Sequence, residues 1–249
     1  MYFIIFIFGL LIGSFLNVCI YRIPRNESIS YPPSHCTSCG KRIKWYDLIP
    51  VISYIFLKGR CRNCKEKISI RYPVIELTGG IIFLLLFIKY GLSFEFVKFA
   101  VMASILIVIA LIDFDTEDVY LKTTLSGIIS GLIFAILGNY LNVTGNFLNY
   151  IYGGAVSGGL IAVIILLTHG MGWGDVEICT MCGLFLGFKM SLVMLFFAFV
   201  IGGVTGVLLI LTHKKKRRDC IPFGPFIALA AVLTALYGGN ILLWYMSLL

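Results

Sequence analysis

Charge is what this sequence has least of. Asp, Glu, Lys and Arg together supply 13% of 249 residues, about half the share usual in a soluble domain. Hydrophobic residues make up 59% and the mean hydropathy is +0.98. That balance excludes an oversized soluble helical domain and requires a polytopic membrane protein, with the bilayer as solvent for most side chains. A second absence is the G-x-G-x-x-G fingerprint, found nowhere in the chain. A Rossmann-type cofactor cradle is thereby excluded, and any cofactor pocket must be built from loops and span ends. Basic residues are also missing ahead of the first apolar run, and "GSFLNVCIYR" at 13–22 holds no clear cleavage site. The first run therefore reads as a retained helix rather than a secretory leader.

The charge that is present is concentrated. Residues 22–72 hold eleven Lys/Arg against Glu27, Asp47 and Glu66, a surplus equal to the +8 of the whole chain. Such a loop could bind nucleic acid, but beside a membrane span it reads as a cytoplasmic retention signal. Membrane lipids with anionic headgroups are the expected electrostatic partner, and no nucleic acid is expected.

The expected fold is an all-α polytopic membrane protein with about eight transmembrane helices. The first helix occupies 1–21 and a polar loop 22–73. Apolar runs then fall near 74–88, 96–112, 123–138, 147–168, 177–188, 190–212 and 223–247. The run at 177–188 is short and reads as a tilted or incomplete span. With the N-terminus outside, the inside connections are 22–72, 113–122, 169–176 and 213–222, the last carrying "HKKKRR" at 213–218. The outside connections carry only Lys89, Lys98 and Lys189, as the positive-inside rule requires. This count puts Asp113 and Asp175 at the same cytoplasmic membrane boundary. Paired glycines in the spans (79–80, 153–154, 158–159, 202–203) read as close helix packing.

Four cysteines lie in the basic loop, as "CTSC" at 36–39 and "CRNC" at 61–64. Two C-x-x-C turns at this spacing supply Cys36, Cys39, Cys61 and Cys64 as thiolate ligands for a tetrahedral structural Zn²⁺. Disulfides are the alternative, but a cytoplasmic loop is reducing. A redox pair would want a surrounding βαβ pattern that is absent. Gly40 suits the turn after the first pair, whereas Lys65 follows the second. His35 reads as a solvent-facing turn residue. A charged loop of about fifty residues has little core, so the metal is expected to hold it folded.

A carboxylate at a span end is costly to bury and is a functional candidate by default. If Asp113 and Asp175 meet, both cannot ionise easily and the pair shares a proton. That state suits peptide hydrolysis: one partner draws a proton from water while the other polarises the scissile carbonyl. Gly172 and Gly174, flanking Trp173, would allow unusual backbone shapes and the approach of a substrate strand. Taken alone, Gly-x-Gly-Asp is equally a loop turn, and Asp113 equally an interfacial group. Asp115, Glu117 and Asp118 read as a solvated acidic turn. Glu177 could face the same site or a lipid headgroup.

In combination the motifs resemble the type IV prepilin peptidase family. The similar stretches are "GSFLNVCIYRIP" at 13–24, "SHCTSCGKRIKWYDLIPVISYIFLKGRCRNCKEKISIRYPVIEL" at 34–77, "LID" at 111–113, "GMGWGDVEI" at 170–178 and "IPFGPFIAL" at 221–229. The resemblance implies a bifunctional inner-membrane enzyme. It would cleave the leader of type IV prepilins or pseudopilins at the cytoplasmic face, then N-methylate the new N-terminus with S-adenosylmethionine. It places the family's aspartic GxGD pair on Asp113 and Asp175 and its cysteine tetrad on Cys36, Cys39, Cys61 and Cys64. On this reading 22–73 is a four-cysteine zinc loop domain and 74–249 an aspartic peptidase domain of about seven helices. Two departures stand out. Tyr120 replaces a frequent proline, and Glu177 replaces a usual lysine, which would put a second carboxylate near the pair. Methyl transfer needs an uncharged amine and hence a base; Glu76, in "RYPVIEL" at the loop–membrane junction, is the candidate. Two rival readings stay open. One is a non-enzymatic scaffold of a pilus or secretion assembly, docking a cytoplasmic ATPase through its zinc loop. The other is a peptidase without methyltransferase activity.

Overall fold

The computed structural model describes residues 1–143, 146–168, 170–213 and 221–247. No strand occurs among these residues; the helices are α1 Tyr2–Arg22, α2 Ile52–Phe56, α3 Arg71–Tyr90, α4 Phe94–Thr116, α5 Leu121–Tyr140, α6 Phe147–Thr168, α7 Trp173–Leu186, α8 Phe188–Leu211 and α9 Gly224–Met246. Among the described residues, seven helices are long and apolar enough to cross a membrane. The expected short run is α7, with 14 residues. At 1.5 Å per residue a helix of that length reaches only about two-thirds of the way across a 30 Å hydrocarbon layer. Most of the "HKKKRR" cluster, residues 214–218, lies outside the described residues.

The chain divides into two compact units, Met1–Gly91 and Leu92–Leu249. In the first, α1 packs along α3 through glycines. A Cβ on Gly13 would stand 2.8 Å from the Glu76 Cα, so only glycine lets the two backbones come this close. Asn17, buried on α1, donates from Nδ2 to the Gly13 carbonyl at 3.3 Å and the Tyr72 carbonyl at 3.2 Å. That second bond ties the helices at the loop end. Arg22, 5% exposed, donates to the carbonyls of Ser28 (2.8 Å) and Pro32 (2.6 Å) and so fixes the chain as it leaves α1.

In the second unit α7 is the core. Ile178, Cys179, Met181, Cys182 and Phe185 on it are wholly buried, and α4, α5, α6, α8 and α9 all contact it. Gly153 of α6 and Gly183 of α7 bring their backbones together, and the Ser157 hydroxyl adds a 2.8 Å bond to the Cys179 carbonyl. A helix packed against five neighbours explains how a run too short to span can stay in place: those helices, more than the lipid, satisfy it.

Candidate active site and metal centre

Asp113 lies in the last turn of α4 and Asp175 in the first turn of α7, and both are buried, at 4% and 6% exposed. The helices that carry them, α4 and α7, contact each other. Each is served by a helix N-terminus, where unpaired N–H groups and the helix dipole favour negative charge. Asp175 is third in its own helix, and its backbone N–H donates to the Gly172 carbonyl at 3.1 Å. Asp113 accepts a 2.9 Å hydrogen bond at Oδ2 from the N–H of Gly224, the first residue of α9.

The glycines before Asp175 differ in use from the expectation. Neither takes an unusual backbone shape: Gly172 is extended (φ −81°, ψ 150°) and Gly174 is helical. Gly172 instead borders open space, with nothing within 4 Å of where a Cβ would be. Gly174 makes room for Val119 in the α4–α5 connection, whose side chain would collide with any Cβ there. Sequence reasoning quoted Gly224 within a motif but gave it no role. Its signal was the Gly-Pro pair opening an apolar run, a helix start with a free N–H on the glycine.

The four loop cysteines come together as expected, with every Sγ within 4.8 Å of the others and Cys36 to Cys64 at 3.8 Å. Four sulfurs about 2.3 Å from one tetrahedral ion stand about 3.8 Å apart, so the cluster fits zinc. The two turns repeat one geometry. Gly40 N–H donates to Cys36 and Cys36 N–H to Lys41, at 2.9 and 3.0 Å; Lys65 N–H donates to Cys61 and Cys61 N–H to Glu66, at 3.1 and 2.8 Å. Isolated bridges His35–Arg42 and Arg60–Lys67 close each turn. Backbone N–H groups of Cys39 and Ser38 hold the Cys36 thiol down to about 6, which favours the thiolate that a metal binds. Lys65 adopts φ 62°, the left-handed shape that Gly40 takes at 67°.

Beside the cluster, Arg62 binds Asp47 through two bonds of 2.8 and 2.7 Å, which hold the Asp47 carboxyl below its usual range. Glu76, 8% exposed, accepts the Val51 N–H at 2.7 Å.

Residues 7–90 match the bacterial peptidase A24 N-terminal domain, and residues 100–207 match the type IV leader peptidase family. The chain is 33% identical over 246 residues to a prepilin leader peptidase/N-methyltransferase of Bacillus subtilis (strain 168), covering 98% of each. The chain belongs to the type IV leader peptidase family. A Pseudomonas putida protein of the same name is 30% identical, covering 98% of this chain and 93% of its own length. One from Myxococcus xanthus is 36% identical, over 85% of this chain and 64% of its own. No solved structure gives a match. Membership of this family, together with the seven long apolar helices, makes the chain a multi-pass membrane protein.

Both departures from the family pattern have structural partners. The Glu177 carboxylate accepts the hydroxyl of the fully buried Thr124 of α5 at 2.5 Å. Tyr120 caps the start of α5, its carbonyl accepting the Thr123 N–H at 2.9 Å and the Thr123 hydroxyl at 2.6 Å. Its φ of −86° is near the value a proline would impose.

Proposed function

We propose that this chain is a membrane aspartic endopeptidase that removes the leader of a prepilin or pseudopilin and methylates the new N-terminus. The observation that carries the reading is the pair Asp113 and Asp175, both buried, one in the last turn of α4 and the other in the first turn of α7, two helices that contact each other. The ionised partner takes a proton from water, and the resulting nucleophile attacks the scissile carbonyl. The protonated partner donates its proton to the carbonyl oxygen; as the C–N bond breaks, the partner that took the water proton passes it to the leaving amine, and the tetrahedral hydroxyl returns its proton to the other carboxylate. The Gly224 N–H keeps the Asp113 carboxylate aimed while its protonation changes. Open space beside Gly172 gives the precursor's extended strand somewhere to lie.

The enzyme is read as residing in the bacterial cytoplasmic (inner) membrane, with the zinc loop and both aspartates on the cytoplasmic side. The basic loop supports that orientation. Its apolar edge supports contact with lipid: Trp45 and Phe56 are 79% and 81% exposed, and Lys44 and Lys58 lie beside them in sequence. Partners beyond the precursor are components of a pilus or secretion assembly.

Zinc on Cys36, Cys39, Cys61 and Cys64 has a structural role, since four protein ligands leave no open position. When bound, S-adenosylmethionine supplies a sulfonium methyl that the free amine takes as the S–CH₃ bond breaks, leaving a thioether and a proton to be removed. Glu76 belongs to this second half of the cycle.

Asp113→Asn and Asp175→Asn should each lower precursor cleavage by ~10²–10⁴-fold, the usual contribution of a general acid or base. Both should leave methylation of an already-cleaved peptide intact. Full cleavage by either variant would defeat the assignment of the pair as the catalytic dyad, and absence of cleavage by the parent would favour the non-enzymatic scaffold.

A further inference from the structure

The stretch "WYDLIPVISYIF" at 45–56 turns its apolar residues the opposite way from a loop in water. On α2, Ile52, Ile55 and Phe56 fall at i, i+3 and i+4, on one face of the helix. That face is the open one, its three residues 50%, 66% and 81% exposed. The opposite face, Ser53, Tyr54 and Leu57, is half-buried, and the Tyr54 hydroxyl donates to the Ile68 carbonyl at 3.4 Å. Trp45, Leu48 and Ile49, ahead of the helix, are exposed as well. An apolar face turned outward is what a helix shows to lipid.

One bond sets the depth of this stretch. Val51, left-handed at φ 62°, donates its N–H to the Glu76 carboxylate at 2.7 Å. Glu76 is the sixth residue of α3, one of the seven helices long and apolar enough to cross a membrane. Val51 is therefore held about 7.5 Å along that helix from its first residue. Val74 and Leu77, flanking Glu76 in the same span, are exposed apolar residues too. With Val51 fixed there, Ile49 and Ile52 on either side of it stand at the depth of lipid rather than of bulk water.

Charge agrees with that position. Between 44 and 60 the cations are Lys44, Lys58 and Arg60, and the single carboxylate is Asp47. Asp47 is paired with Arg62 at 2.7 Å, and its side chain is 8% exposed. Lys44 and Arg62 both lie over the Tyr46 ring, at 5.6 and 5.3 Å. The open surface thus joins aromatic and branched apolar side chains to positive charge at its two ends, complementary to a layer of anionic headgroups.

We infer that residues 45–56 are an interfacial membrane anchor, with the Ile52, Ile55 and Phe56 face in the acyl region of an anionic bilayer, an inference that rests on the lipid contact read for the loop above and adds its depth. Asp47 of the anchor is bonded to Arg62, which lies between Cys61 and Cys64, so the same element fixes the second cysteine turn against the membrane surface.

The test is tryptophan quenching in the full-length, zinc-loaded protein, one copy per lipid disc. Trp45 is one of three tryptophans, so a Trp173→Phe, Trp244→Phe background reports from it alone. Acyl chains brominated near the headgroup should lower its emission at least ~2-fold, while acrylamide in the water should have little effect. Quenching should be stronger in discs containing anionic phosphatidylglycerol than in neutral ones, and salt should remove that difference. Ile55→Asp with Phe56→Asp, both at open positions, should lose most of the lipid quenching with zinc content unchanged. Quenching by a nitroxide on the headgroup but not by brominated chains would overturn the anchor and leave the surface contact standing. Quenching by acrylamide alone would overturn both. A Trp45 shielded from every quencher would mean that protein, not lipid, covers the face. Parent-like lipid quenching in the zinc-loaded double variant would show that this face is not what inserts. If the double variant loses zinc, the quenching of the parent decides.

Discussion

The two units are held together by different physics. Between residues 23 and 70 only Pro50 and Gly59 are buried. Nothing there resembles a core, and order comes from polar devices: the four sulfurs, the Arg62–Asp47 pair, Arg22 on its two carbonyls, and Glu76 on Val51. The aspartate unit is the reverse. Its centre, α7, is a short helix with five wholly buried apolar or sulfur side chains and close glycine contacts to α6. A segment without a core depends on its ligands, while a segment with one depends on shape. The two should therefore fail under different insults.

Metal removal should give the largest difference. Structural zinc in small folds is worth about 10–16 kcal/mol of apparent binding energy, more than a loop with two buried residues can replace. A strong chelator, or Cys36→Ser with Cys39→Ser, should open the 23–70 segment to protease while the Leu92–Leu249 helices stay resistant. Limited proteolysis read by mass spectrometry checks this. A loop that stays intact without metal would mean its polar contacts suffice, and the contrast between the units would collapse.

The converse experiment uses shape. A Cβ on Gly224 would lie 2.6 Å from Asp113 Oδ2, so Gly224→Ala must push the carboxylate or α9 aside. Misplacing a catalytic group by such an amount costs ~10²-fold in rate. Cleavage should fall by about that factor with zinc content and donor binding unchanged. Gly174→Ala, against Val119, should behave similarly, whereas Gly172→Ala faces open space and should cleave at near-parental rate. Equal effects at all three glycines would show that packing is not what distinguishes them.

Much of this was legible in the sequence, and the gaps have a physical pattern. The cysteine cluster was readable because a metal fixes ligand type and spacing together. The all-helical character and the short α7 followed from the length of the apolar runs. That paired glycines mark close helix packing was expected, but not that α1 meets α3 or α6 meets α7 through them. What each glycine does was not readable, because clearance is a property of the neighbour: Val119 decides Gly174, and Asp113 decides Gly224. The Glu76–Val51 bond was hidden for the same reason. Nothing in "IPVISY" announces a left-handed valine, and its partner lies 25 residues away. Glu177 stood undecided between site and lipid until Thr124 supplied a third destination.

The smallest expected effect compares the two cysteine turns with each other. Gly40 and Lys65 occupy equivalent positions, each donating its N–H to the first cysteine of its turn, at φ 67° and 62°. Glycine reaches that region without steric penalty, whereas a side chain costs about 1–2 kcal/mol there. Lys65→Gly relieves that cost but gives the unfolded loop more freedom, worth about 0.4–1 kcal/mol in the other direction. The net should be a stabilisation below about 1 kcal/mol, seen as a small rise in the chelator concentration needed to open the loop. Gly40→Lys should shift it the opposite way by a larger amount, since strain then enters both turns. A Lys65→Gly protein that loses metal more readily than the parent would mean the lysine charge, by favouring thiolates, outweighs the strain of its backbone.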